Sequence, residues 1–214
     1  MQRTIILRLI ILLVPLLFMN TCTKDVYAPD ACFQENILPI FVSNCTMIGC
    51  HNSKDKAEEY DLSTYEGIMK GIVAKHPLQS EVYSVISGKN PSMPASPYSK
   101  LKEADVALIK VWINAGAKNS SNCYACDTTE YTYSGRVKPL METWCVGCHS
   151  GSSAAGAVNL SNYNGVASAV SGNKLMGSLK HEPGFFVMPP SGSKISACEI
   201  NAIQKWVNGG YPNN

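Results

Sequence analysis

The chain has 214 residues, with 18 lysines and arginines against 16 aspartates and glutamates, and nine cysteines. Residues 1–21 contain Arg3 and Arg8 and no acidic side chain, so the remainder sets 16 basic groups against 16 acidic ones. A chain without a net basic field is a poor holder of phosphates, which argues against nucleic acid as a partner. What remains is long enough for two small domains of under about 100 residues each.

The first element is a secretory signal. Two arginines are followed by an apolar run from Leu9 to Met19, broken only by Pro15. A charged start and a short apolar core are the marks of a signal peptide. The run falls short of the roughly 20 apolar residues that a spanning helix needs. Cys22 stands directly after Leu16-Leu17-Phe18-Met19-Asn20-Thr21, where a bacterial lipoprotein signal has its acylated cysteine. We therefore expect residues 1–21 to be a lipoprotein-type signal peptide and Cys22 to be lipidated, anchoring the protein to a membrane. An unlipidated signal and an uncleaved anchor are the alternatives. All three place the folded part outside the cytoplasm, in the cell envelope on the periplasmic or outer face.

Beyond the signal the chain repeats itself, and repetition divides a sequence better than composition does. Asn36-Ile37-Leu38-Pro39-Ile40 resembles Arg136-Val137-Lys138-Pro139-Leu140, and each precedes a segment ending in Cys-His. Eleven residues after each histidine, Leu62-Ser63-Thr64-Tyr65-Glu66-Gly67 matches Leu160-Ser161-Asn162-Tyr163-Asn164-Gly165. Met93-Pro94-Ala95-Ser96 then pairs with Met188-Pro189-Pro190-Ser191.

Each copy ends on an amphipathic helix, with Val106, Ile109, Trp112 and Ile113 in register with Ile200, Ile203, Trp206 and Val207. That i, i+3, i+6, i+7 spacing is one helical face. Gly116 and Gly209-Gly210 are expected as left-handed caps. Ser196 with Glu199 forms a capping box, whereas copy one has Lys102 in the serine's place. Each copy thus reads as a helix, a Cys-His segment, an irregular middle with one short helix, a Met-Pro loop and a final helix. The expected fold is all-α, with residues 32–117 and 131–214 as two helical domains and the polar residues 118–130 as a linker.

The chemistry lies in the cysteines. Cys145-Val146-Gly147-Cys148-His149 has the CxxCH pattern of covalent c-type haem attachment, in which two thiols form thioethers with the haem vinyl groups and the histidine binds iron. Met188, 39 residues after His149, is the expected sixth ligand, since thioether ligation raises the potential and blocks other ligands. His181 is the rival. In copy one, Cys45-Thr46-Met47-Ile48-Gly49-Cys50-His51 has four residues between the cysteines instead of two. A longer loop can bulge outward and still present both thiols. We expect a second haem there, held by Cys45, Cys50 and His51, with Met93 as its other axial ligand.

Cys145 to His149, the Met188-Pro189-Pro190 loop and the Trp206 helix together resemble the class I cytochrome c family, in the tandem dihaem form of bacterial lipoproteins. The similarity covers about residues 32–117 and 126–212. It implies two compact cytochrome c-like helical domains, two covalent haems with His and Met axial ligands, and electron exchange with other redox proteins. The implied function is a carrier of single electrons at the cell envelope. The alternatives are a dihaem peroxidase-like enzyme and a haem-bearing docking subunit of a larger respiratory complex.

With Cys22 lipidated and four cysteines on haem, Cys32, Cys123, Cys126 and Cys198 are left, enough for two disulfides in an oxidising compartment. Because the first and last helices of a cytochrome c fold cross, the resemblance favours Cys126 with Cys198, leaving Cys32 for Cys123; three pairings are possible. Cys123 and Cys126 with Cys145 and Cys148 also fit the spacing of a four-cysteine zinc site. The zinc reading leaves Met93, Met188 and the Cys45–His51 segment without a role. His76 reads as an exposed loop histidine, Trp112 and Trp206 as core residues, and residues 54–59 as a solvated mixed-charge run.

Overall fold

A computed structural model describes residues 31–214 apart from 128, 152–153 and 191–193; the expected signal segment and Cys22 lie outside the described residues. Regular structure among the described residues is helical, without a strand. It comprises α1 (Leu38–Cys45), α2 (Tyr65–Met69), α3 (Glu81–Ile86), α4 (Glu103–Asn114), α5 (Lys138–Trp144), α6 (Tyr163–Ser171), α7 (Leu175–Lys180) and α8 (Ala197–Asn208). The fold is all-α, as expected. No helix among the described residues is long and apolar enough to cross a membrane.

Local chemistry sets these helices. In α1 and α5 a proline, Pro39 or Pro139, occupies the first turn, where its missing N–H has no helical partner to lose. A π-helical turn precedes each, Phe33–Ile37 and Tyr133–Val137. Thr64 caps α2 by accepting the Gly67 amide at 3.1 Å, and Asn162 caps α6 by accepting the Gly165 amide at 3.0 Å. The glycine of this repeated motif is sterically required. A Cβ at Gly67 would lie 1.8 Å from the Asp61 carbonyl oxygen, and one at Gly165 1.7 Å from that of Asn159.

Two apolar cores form, one from each copy. The first centres on Phe33, Ile37, Phe41, Ile68, Ile109 and Trp112, the second on Tyr133, Val137, Met141, Val166, Ile203 and Trp206. Their aromatic trios match. Phe33 meets Tyr65 edge-on at 5.0 Å and Trp112 at 5.3 Å; Tyr133 meets Tyr163 edge-on at 5.2 Å and Trp206 at 5.6 Å. The buried polar ends are satisfied by the chain that follows each last helix. Trp112 Nε1 donates to the Lys118 carbonyl at 3.0 Å and Trp206 Nε1 to that of Pro212 at 2.9 Å. Tyr65 Oη donates to the Ala117 carbonyl at 2.8 Å, and Tyr163 Oη to that of Tyr211 at 3.0 Å.

Three details depart from expectation. The middle of each copy holds two α-helices rather than one, because α3 and α7 have six residues each, too few to leave a helical period in the sequence. The second cap is Gly210, at φ +86°, while Gly209 keeps a negative φ of −76°; Gly116 takes the left-handed position in copy one at φ +100°. The expected linker also divides. Ser120 belongs with copy one, its carbonyl accepting the Gln34 amide at 3.0 Å and its Oγ the Phe33 amide at 3.0 Å. Asn214 takes the same role in copy two, towards the amides of Ser134 at 2.8 Å and Tyr133 at 2.9 Å.

Cys32 is bonded to Cys123 and Cys126 to Cys198, the favoured one of the three pairings. The bridges join residues 91 and 72 positions apart, and closing loops of that length restricts the unfolded chain strongly. The capping box is present at α8, where Ser196 Oγ accepts the Glu199 amide and Glu199 accepts the Ser196 amide; Lys102 caps nothing at α4 with its side chain.

Candidate functional site

The free cysteines among the described residues are Cys45, Cys50, Cys145 and Cys148, each partly buried. Cys45 and Cys145 stand where α1 and α5 end, and each packs against its own core. Burial pushes both thiols up to about 12, and the charge of the second cysteine in the same pair adds to the rise. Burial also raises Cys50 and Cys148; the next cause is Asp55 for Cys50 and, for Cys148, Cys50 of the other copy. All four sulfurs are therefore neutral thiols near neutral pH. The second cysteines of the two pairs also lie within electrostatic reach of each other.

His51 and His149 follow the thiol pairs and are half-buried. His51 Nδ1 lies 2.8 Å from the Ala57 carbonyl oxygen and His149 Nδ1 lies 3.1 Å from that of Val158. A carbonyl only accepts, so Nδ1 carries a proton in both rings, and in the neutral imidazole that leaves the lone pair on Nε2. This is the arrangement that orients a metal-ligating imidazole. The main chain repeats the arrangement. The Leu62 amide donates to the His51 carbonyl at 2.8 Å, and the Leu160 amide to the His149 carbonyl at 2.7 Å. That bond accounts for the fixed distance between histidine and leucine in the sequence.

The unequal cysteine spacings converge on one closure. The His51 amide donates to the Cys45 carbonyl at 3.0 Å and the His149 amide to the Cys145 carbonyl at 2.9 Å. A tight turn precedes the second cysteine in each, from the Cys50 amide to the Met47 carbonyl at 3.0 Å and from the Cys148 amide to the Cys145 carbonyl at 3.1 Å. The two additional residues of copy one are accommodated before that turn. Thr46 and Met47 are buried, and Ile48 projects into solvent at 90% exposure. Asp55 braces the bulge, accepting from the Gly49 amide at 2.6 Å and from Asn52 Nδ2 at 2.7 Å, and these bonds hold its carboxyl below the usual range. Asn52 carries no signal in the sequence, and Asp55 reads there only as a member of the solvated mixed-charge run 54–59.

The two methionines occupy matching loops. Each precedes a cis proline, and each amide is tied to the helix before the loop: Met93 to the Val85 carbonyl at 2.9 Å, Met188 to that of Ser178 at 3.2 Å. Met93 packs against the first core. His181 turns its Nε2 towards the Met188 carbonyl at 3.2 Å, so that nitrogen donates a hydrogen bond and positions the methionine loop. This is the opposite tautomer to His51 and His149. Phe186, 87% exposed, and Val187 lie beside Met188 with their apolar side chains in solvent. His76 is exposed, and Trp112 and Trp206 are core residues.

A four-cysteine zinc cluster does not form, because Cys123 and Cys126 are each in a disulfide with a different partner. The two Cys-His segments instead face each other. Helices α1 and α5 pack together, and Ser43 Oγ donates to the Thr143 carbonyl at 2.6 Å. A Cβ at Gly147 would lie 1.8 Å from the Ser43 carbonyl oxygen. Compared with models of protein families, with curated proteins and with solved structures, the chain matches none.

Proposed function

We propose that this protein is a dihaem c-type cytochrome that carries single electrons between redox proteins of the cell envelope. The observation that carries the reading is the matched pair of histidines, each with Nδ1 engaged by a backbone carbonyl and Nε2 left as a donor, and each following two free thiols. The donor set fits two covalently held haems, through Cys45, Cys50 and His51 in one copy and Cys145, Cys148 and His149 in the other. Each haem, when bound, supplies one reversible ferric/ferrous couple.

The chain's own part is to hold and tune. The carbonyls of Ala57 and Val158 fix the imidazole tautomer. Met93 and Met188 offer thioether sulfurs in matching loops, and as second ligands to a haem iron they would favour the reduced state and leave no position for substrate. That argues for a carrier over a peroxidase. The exposed Phe186 and Val187 supply apolar surface that a haem would cover. Two disulfides support an oxidising compartment, in keeping with the signal and the lipid anchor read at Cys22.

The test is to express the full chain through a periplasmic cytochrome-maturation system, weigh it, and record the ferrous spectrum with and without carbon monoxide. Two haems per chain and an unshifted spectrum are expected. A chain without covalent haem overturns the reading, and a carbon monoxide adduct replaces the carrier with an enzyme or a gas-binding protein.

A further inference from the structure

The contact between the two attachment segments joins equivalent positions. Ser43 and Thr143 each stand two residues before the first cysteine of their copy, and the Ser43 hydroxyl donates to the Thr143 carbonyl at 2.6 Å. The helices that pack there, α1 and α5, are the same element of the repeat. When two copies of one fold touch through the same patch, they are related by a local two-fold axis passing near the contact; a head-to-tail arrangement would bring unlike patches together. Whatever lies near such an axis in one copy faces its own counterpart in the other. Cys50 and Cys148, the second cysteines of the two pairs, sit within electrostatic reach of each other in this way.

Gly147 fits the same geometry. It lies between the two cysteines of copy two, and any side chain there would strike the Ser43 carbonyl, since a Cβ would lie 1.8 Å away. Gly49, which precedes Cys50, has open space around its Cβ position. Gly147 is therefore a point of close approach on the copy-two side alone, and its lack of a side chain lets the two backbones come together there. Ser43 is 5% exposed, whereas Thr143 and Gly147 on the other side of the contact are exposed.

Resting on the dihaem reading, we infer that Ser43, Thr143 and Gly147 are positioning residues that clamp the attachment segments into one junction. With both haems attached, the junction would bring their attachment sides together and make them an electronically coupled pair. Electrons then pass between the haems within the chain, and the protein accepts at one copy and donates from the other without rearrangement.

The test uses the haem-loaded protein as matured. Two haem groups packed against each other couple their Soret transitions, so circular dichroism of the oxidised protein is expected to show a two-signed couplet centred on the Soret absorption. Mass measurement of the same sample counts the haems. G147A should keep both haems and reduce the couplet several-fold; Ser43→Tyr, which lies outside the attachment motif, should do the same. Should G147A lose a haem, Ser43→Tyr decides by the same readout. Two haems with a one-signed Soret signal overturn the coupled pair, and a couplet unchanged by Ser43→Tyr overturns the clamp; both leave the dihaem reading intact. A chain carrying one haem or none overturns both.

Discussion

The Cys-His segments of the two copies differ by two residues in length and yet end in the same geometry. In copy two the Cys145 amide continues the helix to the Met141 carbonyl at 2.8 Å, and the turn to His149 begins at once. In copy one the turn begins two residues later, at Met47. Both close through the bond from the histidine amide to the carbonyl of the first cysteine, and both continue through the leucine amide bound to the histidine carbonyl. The comparison teaches that the distance between the cysteines is a loose parameter. The anchored quantities are the first cysteine, at the end of a packed helix, and the histidine, whose amide, carbonyl and Nδ1 all have partners.

The largest expected effect breaks the equivalence outright. If the proposed dihaem reading holds, His149→Ala should remove the iron ligand of copy two only, and His51→Ala that of copy one only. Each variant, read by absorption and redox titration, should lose one of two low-spin centres and keep the other. Loss of both signals in either variant would show that the copies do not mature independently. Next in size are the core tryptophans. Both are almost fully buried, so Trp206→Ala and Trp112→Ala should each cost about 3–5 kcal/mol in chemical denaturation, with closely similar values. A large difference between them would mean that one core carries the stability of both.

The helix caps sharpen the comparison on a smaller scale. Ser196→Ala deletes a capping box and should cost about 1 kcal/mol, whereas Lys102→Ala at the matching place removes no cap and should stay within about 0.5 kcal/mol. Smallest of all is the tip of the bulge. Ile48→Asn changes a side chain that is 90% exposed and should shift the melting midpoint by an amount equivalent to under about 0.5 kcal/mol. A greater loss would show that Ile48 is covered in the matured protein.

Much of the architecture is legible along the chain, because it rests on local periodicity and on residues with only one structural use. The apolar face of α8 is set by Ile200, Ile203 and Trp206, all buried. The capping box at Ser196, the helix-starting prolines at 39 and 139, and the glycine after Tyr65 and after Tyr163 each leave a mark that one residue carries. The cysteine, histidine and methionine positions of both copies are visible for the same reason: their spacing repeats. The short helices α3 and α7 were not legible, since six residues span less than two turns.

By itself, then, the amino-acid sequence determined the repeat, the helices with strong periods or caps, and the residues that bear thiol, imidazole and thioether groups. The tertiary structure alone decided how the two copies meet. The contact of Ser43 with Thr143 spans 100 residues, and the clash that forbids a side chain at Gly147 comes from a carbonyl in the other copy. Neither follows from any period, because a contact between distant segments depends on three-dimensional packing and leaves no spacing to read. The same holds for the proton on each histidine. Only the placement of the Ala57, Val158 and Met188 carbonyls distinguishes the two rings that engage Nδ1 and leave Nε2 free from the one whose Nε2 donates a hydrogen bond to hold a loop.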